Sequence, residues 1–115
     1  LVFGCTGGGR DIQKRPRMGM VADFYADSIF LTSDDPYFDD PLIICNDIME
    51  GIVNKNKVTV EVDRQKAIQL ALDSASSDDL VIIVGKAGEE VMAINGDLIP
   101  FSDIEIVNNY INEDK

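Results

Sequence analysis

One pattern constrains this chain more than any other. Continuous apolar runs at Leu1 to Cys5, Ser28 to Leu31, Val58 to Val62 and Leu80 to Val84 alternate with stretches whose apolar residues recur at helical spacing. From about Arg17 to Ala26, Met18, Val21, Ala22 and Tyr25 fall at i, i+3, i+4 and i+7, one face of a helix. A second helix opens with Asp40 as cap and Pro41 as first residue, where proline's missing N–H is not needed, and buries Leu42, Cys45, Ile48, Met49 and Ile52. Asp63 caps a third, which packs through Ile68, Ala71, Leu72 and Ala75. After the last run, Val91 to Ile94 and Leu98 to Pro100 flank Asn95-Gly96, a pair that tolerates positive φ and so makes a two-residue hairpin turn. Ser102-Asp103-Ile104-Glu105 then reads as a capping box for a final helix with Ile104, Val107 and Ile111 inward. Strands that are apolar throughout belong to a parallel sheet covered on both faces. The expected architecture is α/β: a Rossmann-like, doubly wound, mostly parallel sheet ending in a C-terminal hairpin, built as a single domain over residues 1–115.

Composition narrows what such a domain can do. With 21 acidic against 10 basic residues, the net charge of −11 repels phosphate backbones and anionic lipid, so neither a nucleic acid nor a membrane surface is the expected partner. The chain has no histidine, which removes Ser-His-Asp and Cys-His nucleophile pairs and mixed Cys/His zinc sites. Its two cysteines, Cys5 and Cys45, form no CxxC pair and no disulfide framework, as expected of a reducing, cytoplasmic setting. No apolar run approaches the roughly 18 residues a membrane-spanning helix needs. A chain that begins directly in an apolar strand, with no initiator Met, reads as a piece of a longer protein.

In a doubly wound sheet the loops at the carboxyl ends of the strands line one rim, and ligands bind there. Three loops meet that description: Thr6 to Pro16, Thr32 to Asp40 and Gly85 to Glu90. The glycines of the first sit like a phosphate cradle, but Arg10-Asp11 follows Gly9 where a P-loop needs Gly-Lys-Ser/Thr, and no GxGxxG is present. Its charge is more telling, since Arg10, Lys14, Arg15 and Arg17 fall together in a chain that is otherwise acidic. Such a cluster can grip a carboxylate or phosphate, or merely offset neighbouring acids. In the second loop Asp39 and Asp40 are explained by the helix cap and dipole, whereas Asp34 and Asp35 can bind an ammonium group or a metal ion, or stand as ordinary solvated loop acids. The third adds Lys86 and Glu89, with Gly85 and Gly88 allowing close backbone approach.

These strings, namely Phe3-Gly4-Cys5, Gly8-Gly9-Arg10-Asp11, Lys14-Arg15-Pro16, Met18-Gly19, Thr32-Ser33-Asp34-Asp35-Pro36, Gly85-Lys86 with Glu89, and Ile94-Asn95-Gly96 to Ile99-Pro100-Phe101, closely resemble the C-terminal domain of Mur ligases. Within that family the chain is most similar to the MurE-type branch, UDP-N-acetylmuramoyl-L-alanyl-D-glutamate ligases (UDP-N-acetylmuramyl tripeptide synthetases), which add the third, usually diamino, residue of the peptidoglycan stem. The resemblance runs through essentially the whole chain. It implies a cytoplasmic, ATP-dependent, Mg²⁺-requiring ligase of cell-wall synthesis that activates the peptide carboxylate as an acyl phosphate for attack by an amine. It further implies that Arg10 holds the amino acid's carboxylate and that Asp34-Asp35-Pro36-Tyr37 is the specificity motif. Gly85 and Glu89 complete the pocket, and Lys14 and Arg15 support it from the basic loop. No catalytic residue and no metal ligand is implied within this domain. ATP and Mg²⁺ are bound mainly by a central ATPase domain outside this chain, which is the expected partner and without which the domain is expected to be inactive.

Two departures matter. Members that add diaminopimelate typically read Asp-Asn-Pro-Arg in the specificity motif, the Arg gripping the second carboxylate of that substrate. Here Tyr37 replaces the cation and Asp35 stands where Asn is usual, a change that favours a free side-chain ammonium and therefore L-lysine, with ornithine also fitting. Ala87-Gly88 replaces the common Gly-His before the Glu. Other classes of protein compete with this reading. A receiver-like signalling module would need an acidic pair directly after the first strand, where this chain has Gly7-Gly8-Gly9-Arg10. A stand-alone amino-acid-binding module would have the same pocket without a catalytic partner.

Overall fold

The computed structural model describes residues 1–9 and 11–113; Arg10, Asp114 and Lys115 lie outside them. Strand β1 (Val2–Phe3) pairs in parallel with β2 (Ile29–Leu31), and β2 with β3 (Val58–Val60), in the register Val2↔Phe30 and Phe30↔Thr59. On the far side of β1 the chain runs extended over 82–84. There the Val2 amide donates to Ile82 O at 2.8 Å and the Val84 amide to Val2 O at 3.1 Å, a parallel bridge between Val2 and Ile83. The order across the sheet is thus 82–84, β1, β2, β3, and its direction of growth reverses at β1, as expected of a doubly wound sheet.

Helices α1 (Lys14–Tyr25) and α2 (Pro41–Met49) cover one face, and α3 (Arg64–Ser74) and α4 (Asp103–Glu113) the other. Successive strand residues divide between the two faces. Phe3, Ile29 and Leu31 meet Ala22, Ile44, Cys45, Ile48 and Ile52 in one core, while Val2 and Phe30 meet Ala67, Ile68 and Ala71 in the other. Asp40 accepts from the Leu42 amide and Asp63 from the Lys66 amide, so both expected caps are present. Strands β4 (Val91–Ile94) and β5 (Asp97–Pro100) form the hairpin, with Asn95 and Gly96 at φ 51° and 85° in its turn.

The structure corrects several expectations. Helix α1 starts at Lys14 rather than near Arg17, because Pro16 sits in the first turn, where an amide has no intrahelical partner. Its inward residues are Arg15, Gly19 and Ala22. Val21 and Tyr25 are exposed, Tyr25 by 79%, and face an apolar cleft of about 390 Å³ that also touches Leu1, Phe3, Met18 and Val84. In α2 Leu42 is exposed, and Ile44 is buried beside the expected Cys45 and Ile48. The run Leu80 to Val84, expected as a strand covered on both faces, is an exposed edge: Leu80 is 80% exposed, and Ile82 and Val84 are exposed as well. In α4 the Ser102 hydroxyl accepts from the Glu105 amide as a cap should, but Ile104 and Ile111 point outward. Asp103 is buried there and Ile106 and Val107 pack inward, because an ion pair at Asp103 sets the rotation of the helix.

Candidate functional site

The loops leaving β1, β2 and the 82–84 segment converge at the carboxyl rim. The first is pressed against the second. The Gly7 amide donates to Asp35 O at 3.0 Å, the Gly8 amide to Asp39 Oδ2 at 2.9 Å, and a Cβ added to Gly7 would stand 2.3 Å from Pro36 O. The ring of Tyr37 lies over Gly8, 3.2 Å from where a Cβ would be. These two amides serve the neighbouring loop and so are not offered to a phosphate. Arg10, expected to hold a carboxylate, lies outside the described residues.

The second and third loops meet through charge. Asp34 is buried, and its Oδ2 would stand 2.5 Å from a Cβ on Gly85, which is also at φ 111°; only glycine fits at that position. Burial pushes the Asp34 carboxyl up, an effect that Arg64 and Lys86 only partly offset. Asp35 Oδ1 accepts from Lys86 Nζ and from the Ala93 amide, both at 2.9 Å. Burial alone would raise the Asp35 carboxyl, but those two hydrogen bonds and the Lys86 charge outweigh it and hold the group below its ordinary value. Glu89 Oε1 lies 3.9 Å from the same ammonium, with its side chain 52% exposed. Tyr37 is pinned by its backbone to β4, its amide donating to Ala93 O at 3.0 Å and its carbonyl accepting from the Asn95 amide at 2.7 Å. Asp34, Asp35, Pro36, Tyr37, Gly85 and Glu89 therefore stand on two facing loops. The acids Asp34, Asp35 and Glu89 share the near field of Lys86.

Other charged residues at the rim were not singled out from the sequence, or were given another role. Arg64 is buried at the first turn of α3, where Nε and Nη2 donate to the two oxygens of Asp103 at 2.8 Å each, Nη1 donates to Ser33 O and Nη2 to Val84 O. This guanidinium ties the strand ends to α4. Its signal in the sequence was an arginine directly after a helix cap at the rim, together with an aspartate in a capping box that needs only the neighbouring serine. Lys14 and Arg15 begin α1 and do not form a loop. Arg15 is buried, donating from Nη1 to Asp47 Oδ2 at 2.9 Å and standing 3.9 Å from Asp39. Asp39 therefore serves Gly8 and Arg15, and the cap of α2 falls to Asp40 alone.

Residues 1–87 match the family model described as Mur ligase, glutamate ligase domain. Among curated proteins, the UDP-N-acetylmuramoyl-L-alanyl-D-glutamate--2,6-diaminopimelate ligase of Aquifex aeolicus (strain VF5) is 47% identical over 113 residues, covering 98% of this chain and 23% of that protein. The protein of the same name from Helicobacter hepaticus is 44% identical over 110 residues, covering 96% of this chain and 24% of that protein. A solved structure of a UDP-N-acetylmuramoyl-L-alanyl-D-glutamate--2,6-diaminopimelate ligase superposes with a TM-score of 0.90 at 38% identity, covering 98% of this chain and 23% of that one. The chain thus spans about a quarter of the length of the relatives it matches.

Proposed function

This chain belongs to the Mur ligase family as a C-terminal domain, and from that premise we propose that it binds the amino-acid substrate of an ATP-dependent ligase. The reaction joins a diamino acid to UDP-N-acetylmuramoyl-L-alanyl-D-glutamate in cytoplasmic peptidoglycan synthesis, and L-lysine is the favoured substrate. One observation carries the assignment to this rim. The two loops that resemble the family's pocket contacts face each other through Asp34 against Gly85 and through Asp35, Lys86 and Glu89.

The local charge supports a zwitterionic amino acid with an extra ammonium. Lys86 is hydrogen-bonded to Asp35 and lies farther from Glu89, at 3.9 Å, so that the three acids together outnumber it and favour a further cation, while Arg10 takes the α-carboxylate. ATP and Mg²⁺, held mainly by a central domain outside this chain, supply the activation of the peptide carboxylate. The residues here bind and orient the attacking amine and hold its α-carboxylate away from the reacting centre.

The relatives are named for 2,6-diaminopimelate, so selectivity has to be argued from this chain's own residues. Since Lys86 neutralises Asp35, the preference for lysine rests on Tyr37, which offers a second carboxylate no cation where Arg is usual. Amino-acid-dependent ADP release by the full-length parent protein, with UDP-linked muramoyl dipeptide and ATP, tests both levels. Turnover with L-lysine and little with meso-diaminopimelate is expected. Turnover with diaminopimelate alone would keep the ligase and overturn the selectivity, and no turnover with lysine, ornithine or diaminopimelate would overturn the ligase.

A further inference from the structure

Lys86 is not among the residues that the resemblance carries into the pocket, yet its side chain is 0% exposed. A buried ammonium is costly to desolvate and persists where an anion compensates it. Its partner, Asp35, stands at φ 44°, and Tyr37 two residues on at φ 55°, a left-handed conformation that an aspartate tolerates and a tyrosine does not favour. A chain of hydrogen bonds holds both residues in it. Lys86 Nζ donates to Asp35 Oδ1, the same oxygen accepts from the Ala93 amide, Ala93 O accepts from the Tyr37 amide, and Tyr37 O accepts from the Asn95 amide. Tyr37 and Ile94 close a parallel bridge beside it.

We infer that Lys86 is the positioning residue of the amino-acid pocket: by fixing Asp35 Oδ1 on the Ala93 amide it locks residues 35–37 onto β4 and so sets where Tyr37 stands. This rests on the proposed amino-acid pocket. Lys86 touches no substrate; it acts through Asp35. It also offsets the Asp35 charge, so that this anion does not compete with the residue at position 37 in setting the side-chain preference.

The test is a double-mutant cycle in the full-length protein. Lys86→Met is expected to raise the KM for L-lysine about tenfold or more, with the KM values for ATP and UDP-dipeptide moving by less than about twofold. Adding Asp35→Asn, whose amide oxygen still accepts from Ala93 but carries no charge, is expected to recover most of the loss. An unchanged KM for lysine, or a parallel rise for all three substrates that Asp35→Asn does not recover, would overturn the positioning role. Amide exchange over residues 34–38 and 91–95 reads the lock without turnover and is also measured in Asp35→Ala, which covers the case in which Lys86→Met fails to fold. Exchange there is expected to quicken about tenfold or more. Unchanged exchange overturns the lock even where the protein is a ligase. Faster exchange in a protein that turns over no diamino acid overturns the ligase reading and leaves the lock standing.

Discussion

Two buried cations at the same rim do different work. Arg64 sits in a closed clamp, Nε and Nη2 both engaging Asp103 while Nη1 donates to Ser33 O and Nη2 also to Val84 O, with the side chains of Arg64 and Asp103 0% and 7% exposed. Lys86 is as deeply buried, but it places a point charge on one oxygen of Asp35 and within reach of Glu89, both of which open to solvent. A planar fork can saturate one carboxylate bidentately, whereas an ammonium can be shared among several acids. The difference separates the part of the rim that holds the fold from the part that can respond to a ligand.

The most disruptive change on this view is Arg64→Leu. It strands Asp103 and two carbonyls, and removing one partner of a buried pair costs about 3–5 kcal/mol, so denaturant unfolding of the full-length protein should show a large loss for its C-terminal domain. A loss no greater than that of Lys86→Met would erase the distinction between clamp and shared cation. Next comes Gly85→Ala, which forces a Cβ onto Asp34 Oδ2 and into a strained φ. It is expected to cost roughly 1–3 kcal/mol and to raise the KM for the amino acid; an unchanged KM would remove Asp34 and Gly85 from the pocket. Tyr37→Arg should shift the kcat/KM ratio toward meso-diaminopimelate over lysine by about tenfold, the worth of roughly 1.4 kcal/mol. No shift would show that position 37 does not select the side chain.

The smallest effect on stability is expected at the two neighbouring aspartates, and it has opposite signs. The folded-state pKa of Asp35 is depressed, so its contribution is present above the ordinary carboxylate value of 3.8 and lost as pH falls through the lower folded value. That of Asp34 is raised, so the folded state holds its proton longer than the unfolded chain and stability declines as pH rises from 3.8 through the folded value. Asp34→Asn should therefore leave the thermal midpoint at neutral pH unchanged or higher while impairing use of the amino acid. A lower midpoint with normal activity would reverse the roles given to these two residues.

How far the sequence reveals the molecule follows the distance over which each interaction acts. The caps at Asp40 and Asp63 and the Asn95-Gly96 turn are local and could be read directly, as could the alternation that yields the doubly wound sheet. The pairs that build the rim span 51 residues for Lys86 with Asp35, 39 for Arg64 with Asp103 and 32 for Arg15 with Asp47, and nothing in the composition links their members. The basic cluster reads as one ligand grip because its residues are neighbours in sequence; the start of α1 turns Arg15 inward to Asp47 instead. Val21 and Tyr25 read as core from helical spacing and Ile82 and Val84 from an unbroken apolar run, since a pattern reports which residues are apolar and not whether anything covers them. Topology and charge alone single out Asp34, Asp35 and Glu89 at the rim, but the places proposed for Pro36 and Tyr37 come only through the resemblance; acids in loops are ordinary until a buried lysine draws them together.

Hydrogen exchange of the full-length protein, with and without L-lysine and in the presence of UDP-linked dipeptide and a non-hydrolysable ATP analogue, tests most directly the claim that this rim is the amino-acid pocket. Added protection confined to peptides covering residues 32–38 and 85–90 is the predicted result. Protection elsewhere in the domain, as in the cleft that Gln65, Phe101, Glu105 and Asn109 line between α3 and α4, with none at the rim, would contradict it.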